Sequence, residues 1–213
     1  MSKTLYLWDL AGTLFYEEWD IKKTGYPAIG DWIAAKLKKK KSEVTDREYE
    51  EMHRFAYEHG WPIKLALKPG FKEVLIWTKH NETFSTGMQE QMAWRAKYLN
   101  PKAGCDIRKF FQKFNSTFDY GETNKKTKEM LINYLGKKYR QGYRTVLYID
   151  DKLSNCKFFI SAVKSMQKRH KGLKYRLYHI LNDKKGIRKK RGYFEIGRLT
   201  DIINNEKKLT STL

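Results

Sequence analysis

Tyr6-Leu7-Trp8-Asp9-Leu10-Ala11-Gly12-Thr13-Leu14 runs from apolar residues into an acid and a glycine turn. From Thr4 to Leu10 the chain is a short apolar run rich in strand formers, closed by Ala11-Gly12-Thr13. It reads as a buried strand with an acid, Asp9, at its carboxyl end. Thr145 to Ile149 repeats the pattern and ends on Asp150-Asp151, while Thr83-Phe84-Ser85-Thr86 reads as a shorter strand. After Pro69 such strands alternate with helical text and are apolar on both faces, which predicts an α/β, Rossmann-like parallel sheet covered by helices on both sides. In such sheets ligands bind at the carboxyl ends of strands, near the point where strand order switches. Asp9, Ser85 and Asp150-Asp151 all fall there.

Phe15 to Lys68 is charged and helical in pattern, with candidates at Asp31 to Leu37 and Thr45 to His59. Thr45 with Glu48 three residues on has the form of a capping box. The chain therefore divides into an α/β core, residues 1–14 and 69–213, and a small helical cap insert, residues 15–68. Within the core, helices are expected over Phe71 to Lys79, Gly87 to Leu99, Lys125 to Tyr139, Leu153 to Lys168 and Leu199 to Lys208, with Ile107 to Phe114 as an amphipathic turn or helix and Tyr175 to Leu181 as a last strand. Trp61 and Trp77 are expected in the core. The histidines show no ligand spacing and read as surface or packing residues. Cys105 and Cys156 indicate neither a zinc site nor a disulfide framework.

The 213 residues carry a formal charge of +20, with 40% hydrophobic and 15% aromatic residues, enough to build a proper interior. No apolar run approaches the ~20 residues of a membrane span, and the first residues lack a signal-peptide pattern. A soluble cytoplasmic protein without a membrane partner is expected. The charge favours polyanionic partners, nucleic acid first. Its densest runs are Lys36 to Lys41, Lys164 to Arg176 and Lys184 to Arg191. Spread along a chain rich in Asn, Ile and Tyr, the same bias is also what an A/T-rich coding sequence gives with no such partner. Both readings stay open.

These motifs carry a family resemblance. Tyr6 to Leu14 resembles the first motif of the haloacid-dehalogenase (HAD) superfamily, hydrophobic residues followed by Asp-x-Asp-x-Thr. Phe84-Ser85-Thr86-Gly87 resembles its second motif. Lys125, after Asp119-Tyr120-Gly121, resembles the third-motif lysine, with Lys126 and Lys128 near enough to replace it. Leu147-Tyr148-Ile149-Asp150-Asp151 resembles the fourth, with Asn155 following. From Pro69 to Val163 the text is similar to the enolase-phosphatase branch, through Trp77, Ser85-Thr86-Gly87 with Gln91 beyond, and Phe118-Asp119 before the lysine. The resemblance implies a Mg²⁺-dependent phosphatase acting on a small phosphorylated substrate, with Asp9 as nucleophile and a phosphoaspartate intermediate. It implies Mg²⁺ held by Asp9, Asp150, Asp151 and the backbone carbonyl of Ala11, and phosphate held by Leu10, Ser85, Thr86 and Lys125.

The chemistry agrees with that constellation: a carboxylate can attack phosphorus, and Mg²⁺ takes oxygen ligands. Taken singly, Asp150-Asp151 reads equally as a helix cap, Ser85 as a cap and Lys125 as a solvated lysine. Position 11 is the departure. The resemblance calls for a second acid there, to protonate the leaving group and then activate water, and Ala11 has no proton to give. Four explanations follow: an engineered substitution, a good leaving group, a phosphonatase-like C–P hydrolase with a cap lysine, or a non-catalytic protein that binds phosphate or nucleic acid.

Overall fold

Strand β1 (Lys3–Trp8) is the first apolar run, and it lies inside a sheet with parallel partners on both sides. The structure, a computed structural model, describes residues 3–59, 63–121, 123–181 and 186–211. After β1 the chain turns into β2 (Phe15–Trp19), α1 (Ile21–Thr24), α2 (Ile29–Leu37) and α3 (Asp46–Glu58), then returns along β3 (Ile63–Leu67). Alternation follows through α4 (Phe71–Trp77), β4 (Asn81–Thr83), α5 (Gln91–Ala103), α6 (Lys128–Arg140), β5 (Tyr143–Asp150), α7 (Leu153–Arg169) and β6 (Lys174–Ile180). The chain ends with β7 (Ile187–Lys190), β8 (Tyr193–Ile196) and α8 (Thr200–Ser211).

The six-stranded sheet has the order β4-β1-β5-β6-β8-β7, parallel except for β7, which runs antiparallel to β8. The chain leaves β1 for β4 on one side and then crosses to β5 on the other, so the switch point lies at the carboxyl end of β1. Alternate residues of the central strands feed two cores. Leu5 and Leu7 of β1, Val146 and Tyr148 of β5 and Leu177 of β6 pack against Leu131 and Leu135 of α6 and Phe159 and Val163 of α7. Trp8, Leu147, Ile149, Tyr178 and Ile180 face the other way, onto α4, α5 and α8 through Val74, Leu99 and Ile202. Each fully buried Leu or Ile contributes ~1.5–3 kcal/mol, and burial on both faces explains why these strands read as continuous apolar runs.

Residues 15–68 hold a separate small core of Trp32, Ile33 and Ala56. The insert is not wholly helical. It begins and ends on an antiparallel pair, β2 with β3, from Phe15↔Leu67 to Trp19↔Ile63. The capping box forms: Thr45 Oγ1 accepts from Glu48 N at 3.2 Å, and Glu48 Oε2 accepts from Thr45 N at 3.0 Å.

Several element boundaries move. The strand expected over Thr83 to Thr86 is β4, Asn81–Thr83. Beyond Thr83 the segment is shared, with Phe84 N still donating to Trp8 O while Ser85 N donates to Asn115 O. The helix expected from Gly87 opens at Gln91, because Gly87 adopts a φ of +93° that a helix does not accommodate. The basic text after Lys184 includes the hairpin β7–β8. Its outer strand shows no apolar alternation because Arg188, Lys189 and Lys190 are all exposed; residues 182–185 lie outside the described residues. Trp77 is half-buried, edge-on to Tyr6, and Trp61 lies outside the described residues. No helix among the described residues is long and apolar enough to cross a membrane.

One buried charge ties β4 to α6. Glu82 is 3% exposed and accepts from Tyr134 Oη at 2.9 Å and Asn115 Nδ2 at 3.1 Å, and it pairs with Lys138. Removing one partner of a buried pair leaves an uncompensated charge, so Lys138→Met should cost about 3–5 kcal/mol in urea unfolding. Adding Glu82→Gln should recover part of that loss, since coupled neighbours are not additive.

Candidate active site

The turn after β1 builds the floor of the site. Leu14 N and Thr13 N both donate to Leu10 O, and Gly12 N donates to Phe15 O at 2.9 Å, which folds residues 10–14 tightly over the strand end. Gly12 has φ +79°, and a Cβ there would overlap the Asp151 carboxylate. Glycine is therefore needed both for the left-handed backbone and for the close approach.

Three carboxylates meet here. Asp9, Asp150 and Asp151 each offer an oxygen within 4.8 Å of the others. Asp9 follows β1, Asp150 ends β5, and the two strands are neighbours, so the register alone brings them together. Asp150 is fully buried and its oxygens are heavily engaged: Oδ2 accepts from Lys126 Nζ and Tyr148 Oη, both at 2.6 Å, and Oδ1 accepts from Lys152 N at 2.8 Å. Asn155 Nδ2 donates to both oxygens at 3.1 Å. Asp151 is half-buried and accepts from Thr13 Oγ1 at 3.2 Å.

Lys126 Nζ bridges the cluster, donating to Asp9 Oδ1 at 2.6 Å as well as to Asp150. The lysine in the cluster is therefore Lys126, and Lys125 is exposed, with its N–H on Thr123 Oγ1. The one-residue correction has a local cause. The helix opens at Lys128 with extended Thr127 as its N-cap, so residues 125 and 126 precede the helix and point opposite ways. Lys128 is half-buried within α6.

The electrostatics follow from burial. Burial pushes the Asp9 carboxyl up to about 6; Lys126 pulls it back, and Asp150 and Asp151 raise it further. Burial works against the Lys126 ammonium, but Asp150 and Asp9 outweigh it and raise its pKa. The Asp151 carboxyl is raised by burial and by Asp150. The sequence reading missed Lys68. It is 4% exposed, its ammonium donates to Gly12 O, and burial lowers it to about 8 against the pull of Asp151 and Asp9. Its one sequence signal is its place just before Pro69, where the insert rejoins the core.

The remaining expected residues border the same strand ends. Ser85 is buried beyond β4, where its N–H donates to Asn115 O and its carbonyl accepts from Thr117 N. It lines a small recess with Leu10 and Thr86. Ala11 lines two cavities, of about 630 and 290 Å³, that share several residues of the insert. Ala11, Glu17, Tyr49, His53 and Lys152 line both. The larger is walled by Tyr16, Trp19, Ile29 and Ile63, and the smaller reaches Thr86, Glu50 and Arg95.

Between cavity and core stands a second charged cluster. Glu17 Oε1 accepts from Tyr57 Oη at 2.6 Å and lies 3.0 Å from His53 Nε2, while Oε2 pairs with Arg95 at 3.2 Å. Burial opposes the Glu17 charge, yet Arg95, His53 and Tyr57 together hold its carboxyl well below the ordinary 4.5.

No family model matches the chain, and no curated protein matches it. Among solved structures it is similar to a HAD family enzyme from Bacteroides thetaiotaomicron, crystallised as a magnesium complex. The identity is 17%, the match covers 82% of this chain and 92% of that one, and the TM-score is 0.48.

Gly12→Ala should lower the melting temperature and weaken Mg²⁺ binding measured by calorimetry, because strain and the overlap with Asp151 both act at the carboxylates. Glu17 gives a pH signature. Its folded pKa is depressed, so the unfolded chain binds that proton more readily, and the stabilisation is present above pH ~4.5 and fades as pH falls below it. The melting-temperature gap between this chain and Glu17→Gln should accordingly narrow on acidification.

Proposed function

We propose that this chain is a HAD-like, Mg²⁺-dependent hydrolase of small phosphomonoesters that works through a phosphoaspartate on Asp9. The observation that supports it most is the group at the end of β1, where Asp9 is buried with Lys126 on one oxygen and two further carboxylates alongside. Asp151 of that group lines a cavity able to hold an organic substituent.

The donors suit Mg²⁺, a hard cation that takes oxygen ligands. Asp9, Asp151 and the Ala11 carbonyl would hold it, while Asp150, already accepting from Lys126, Tyr148, Lys152 and Asn155, fixes the frame. When bound, the ion supplies a Lewis acid that offsets charge on the phosphate oxygens. Lys126 holds Asp9 Oδ1 and leaves Oδ2 as the attacking oxygen. The O–P bond to Asp9 forms as the ester P–O bond breaks, and water later attacks phosphorus to release phosphate and restore the carboxylate. Ser85 and the N–H groups of Leu10 and Thr86 are suited to hold equatorial oxygens. Lys126, in place of Lys125, balances their charge. Tyr16, Trp19 and Tyr49 favour a flat apolar substituent on the phosphate.

Ala11 supports one rival, a non-catalytic protein that holds phosphate or nucleic acid without turnover. The phosphonatase-like reading has less support, because Lys68, at the end of the insert, donates its ammonium to the Gly12 carbonyl. Phosphate release from a panel of phosphomonoesters separates the readings. Release that stops on chelation and in Asp9→Asn is the expected result. No release from this chain or from Ala11→Asp, with Mg²⁺ bound in both, would leave the binding protein standing.

A further inference from the structure

A phosphatase of this design needs a proton donor for its leaving group, and position 11 has none. The cavity above Ala11 contains two acid–base candidates on α3, Glu50 and His53. Glu17 also lines it, but Arg95, His53 and Tyr57 lock its carboxyl in the charged form, so it has no proton to give. Glu50 is 3% exposed and committed to Gln91 and to the Met88 N–H.

His53 differs in three ways. It lines both cavities together with Ala11. Its Nε2 is fixed against Glu17 Oε1 at 3.0 Å, which orients the ring, favours the proton on Nε2 and leaves Nδ1 as the nitrogen that exchanges protons. Its ring is flanked along one helix face by Tyr49 and Tyr57, at centroid distances of 5.9 and 5.1 Å, with Arg95 anchoring Glu17 from α5. A carboxylate orienting an imidazole, itself held by further donors, is the arrangement that acid–base catalysis uses elsewhere.

We propose that His53, oriented by Glu17, supplies from the insert the general acid and base that Ala11 lacks; this rests on the phosphomonoesterase reading above. In the first step Asp9 Oδ2 bonds to phosphorus and the ester P–O bond breaks. Its electron pair stays on the leaving oxygen, which takes the His53 Nδ1 proton and departs as the alcohol. Neutral His53 then removes a proton from water as the water oxygen attacks phosphorus. The bond to Asp9 breaks, and inorganic phosphate leaves with His53 protonated again. Glu17 is a positioning residue.

The test compares 4-nitrophenyl phosphate, whose leaving group departs without acid help, with 2-phenylethyl phosphate, whose alkoxide needs a proton. General acid help is worth ~10²–10⁴, so His53→Gln should raise the ratio of kcat/KM for the first substrate over the second by on the order of 10². Ala11→Asp placed on His53→Gln should bring the ratio back. A structural role would lower both substrates alike, and a fixed ratio overturns the proposal. So does a raised ratio in Glu50→Gln without one in His53→Gln.

If His53→Gln does not fold, the pH profile of the unaltered chain decides. The groups facing His53 are Glu17 from β2, Tyr49, Glu50 and Tyr57 from α3, Arg95 from α5, and Lys152 across the cavity. Groups that act on the phosphoryl group shape the profile alike for both substrates. Loss of the acid should make 2-phenylethyl phosphate alone fall as pH rises, and parallel profiles overturn the proposal. Turnover by Ala11→Asp but not by the unaltered chain removes His53 and keeps the phosphatase reading. Turnover by neither overturns both.

Discussion

The ammonium of Lys126 stands between Asp9 and Asp150 at 2.6 Å from each, and the geometry of the strand ends depends on it. Carboxylates this close and this buried repel one another, and burial alone disfavours their charge. A single cation without solvent exposure offsets both effects and fixes where the charge lies. The surrounding donors extend the same logic. Tyr148, Asn155 and Lys152 N fill the Asp150 oxygens, so Asp150 acts as a rigid post for the lysine, which holds Asp9 through Oδ1. The sheet order follows the same need, because only adjacent β1 and β5 bring both acids within reach of one ammonium.

The parts of this arrangement legible in the sequence are those that burial writes strongly. β1 and β5 are packed on both faces, so their apolar runs are continuous and the acids that end them stand out. The lysine of the cluster lies one position beyond Lys125: three lysines stand near the helix start and all read as helical, and Thr127 as N-cap is the signal that separates them. Ser85 lies beyond the end of β4, where the backbone of residues 113–117 pairs with it in place of a sheet strand. His53 was illegible for another reason. Its partner Glu17 lies 36 residues away, and Arg95 lies 78 residues from Glu17, so no local spacing announces the cluster.

That cluster also joins the insert to the core. Glu17 comes from β2, His53 and Tyr57 from α3, and Arg95 from the core helix α5, so one half-buried carboxylate is shared by three elements. Nearby, Tyr98 Oη donates to Tyr57 O at 2.8 Å, and Thr123 Oγ1 donates to Asp46 Oδ2 at 2.7 Å. The insert is thus held by polar groups at defined angles as well as by Phe15, Tyr57 and Leu65 in the apolar core.

The hairpin β7–β8 closes one side of the sheet with an antiparallel strand whose Arg188, Lys189 and Lys190 all face solvent. An open edge offers unpaired N–H and C=O groups to any passing strand. Two copies meeting along this rim would bring like charges into register before their backbones could pair. Part of the chain's basic excess therefore acts as a guard rail, keeping neighbouring molecules from zipping together edge to edge.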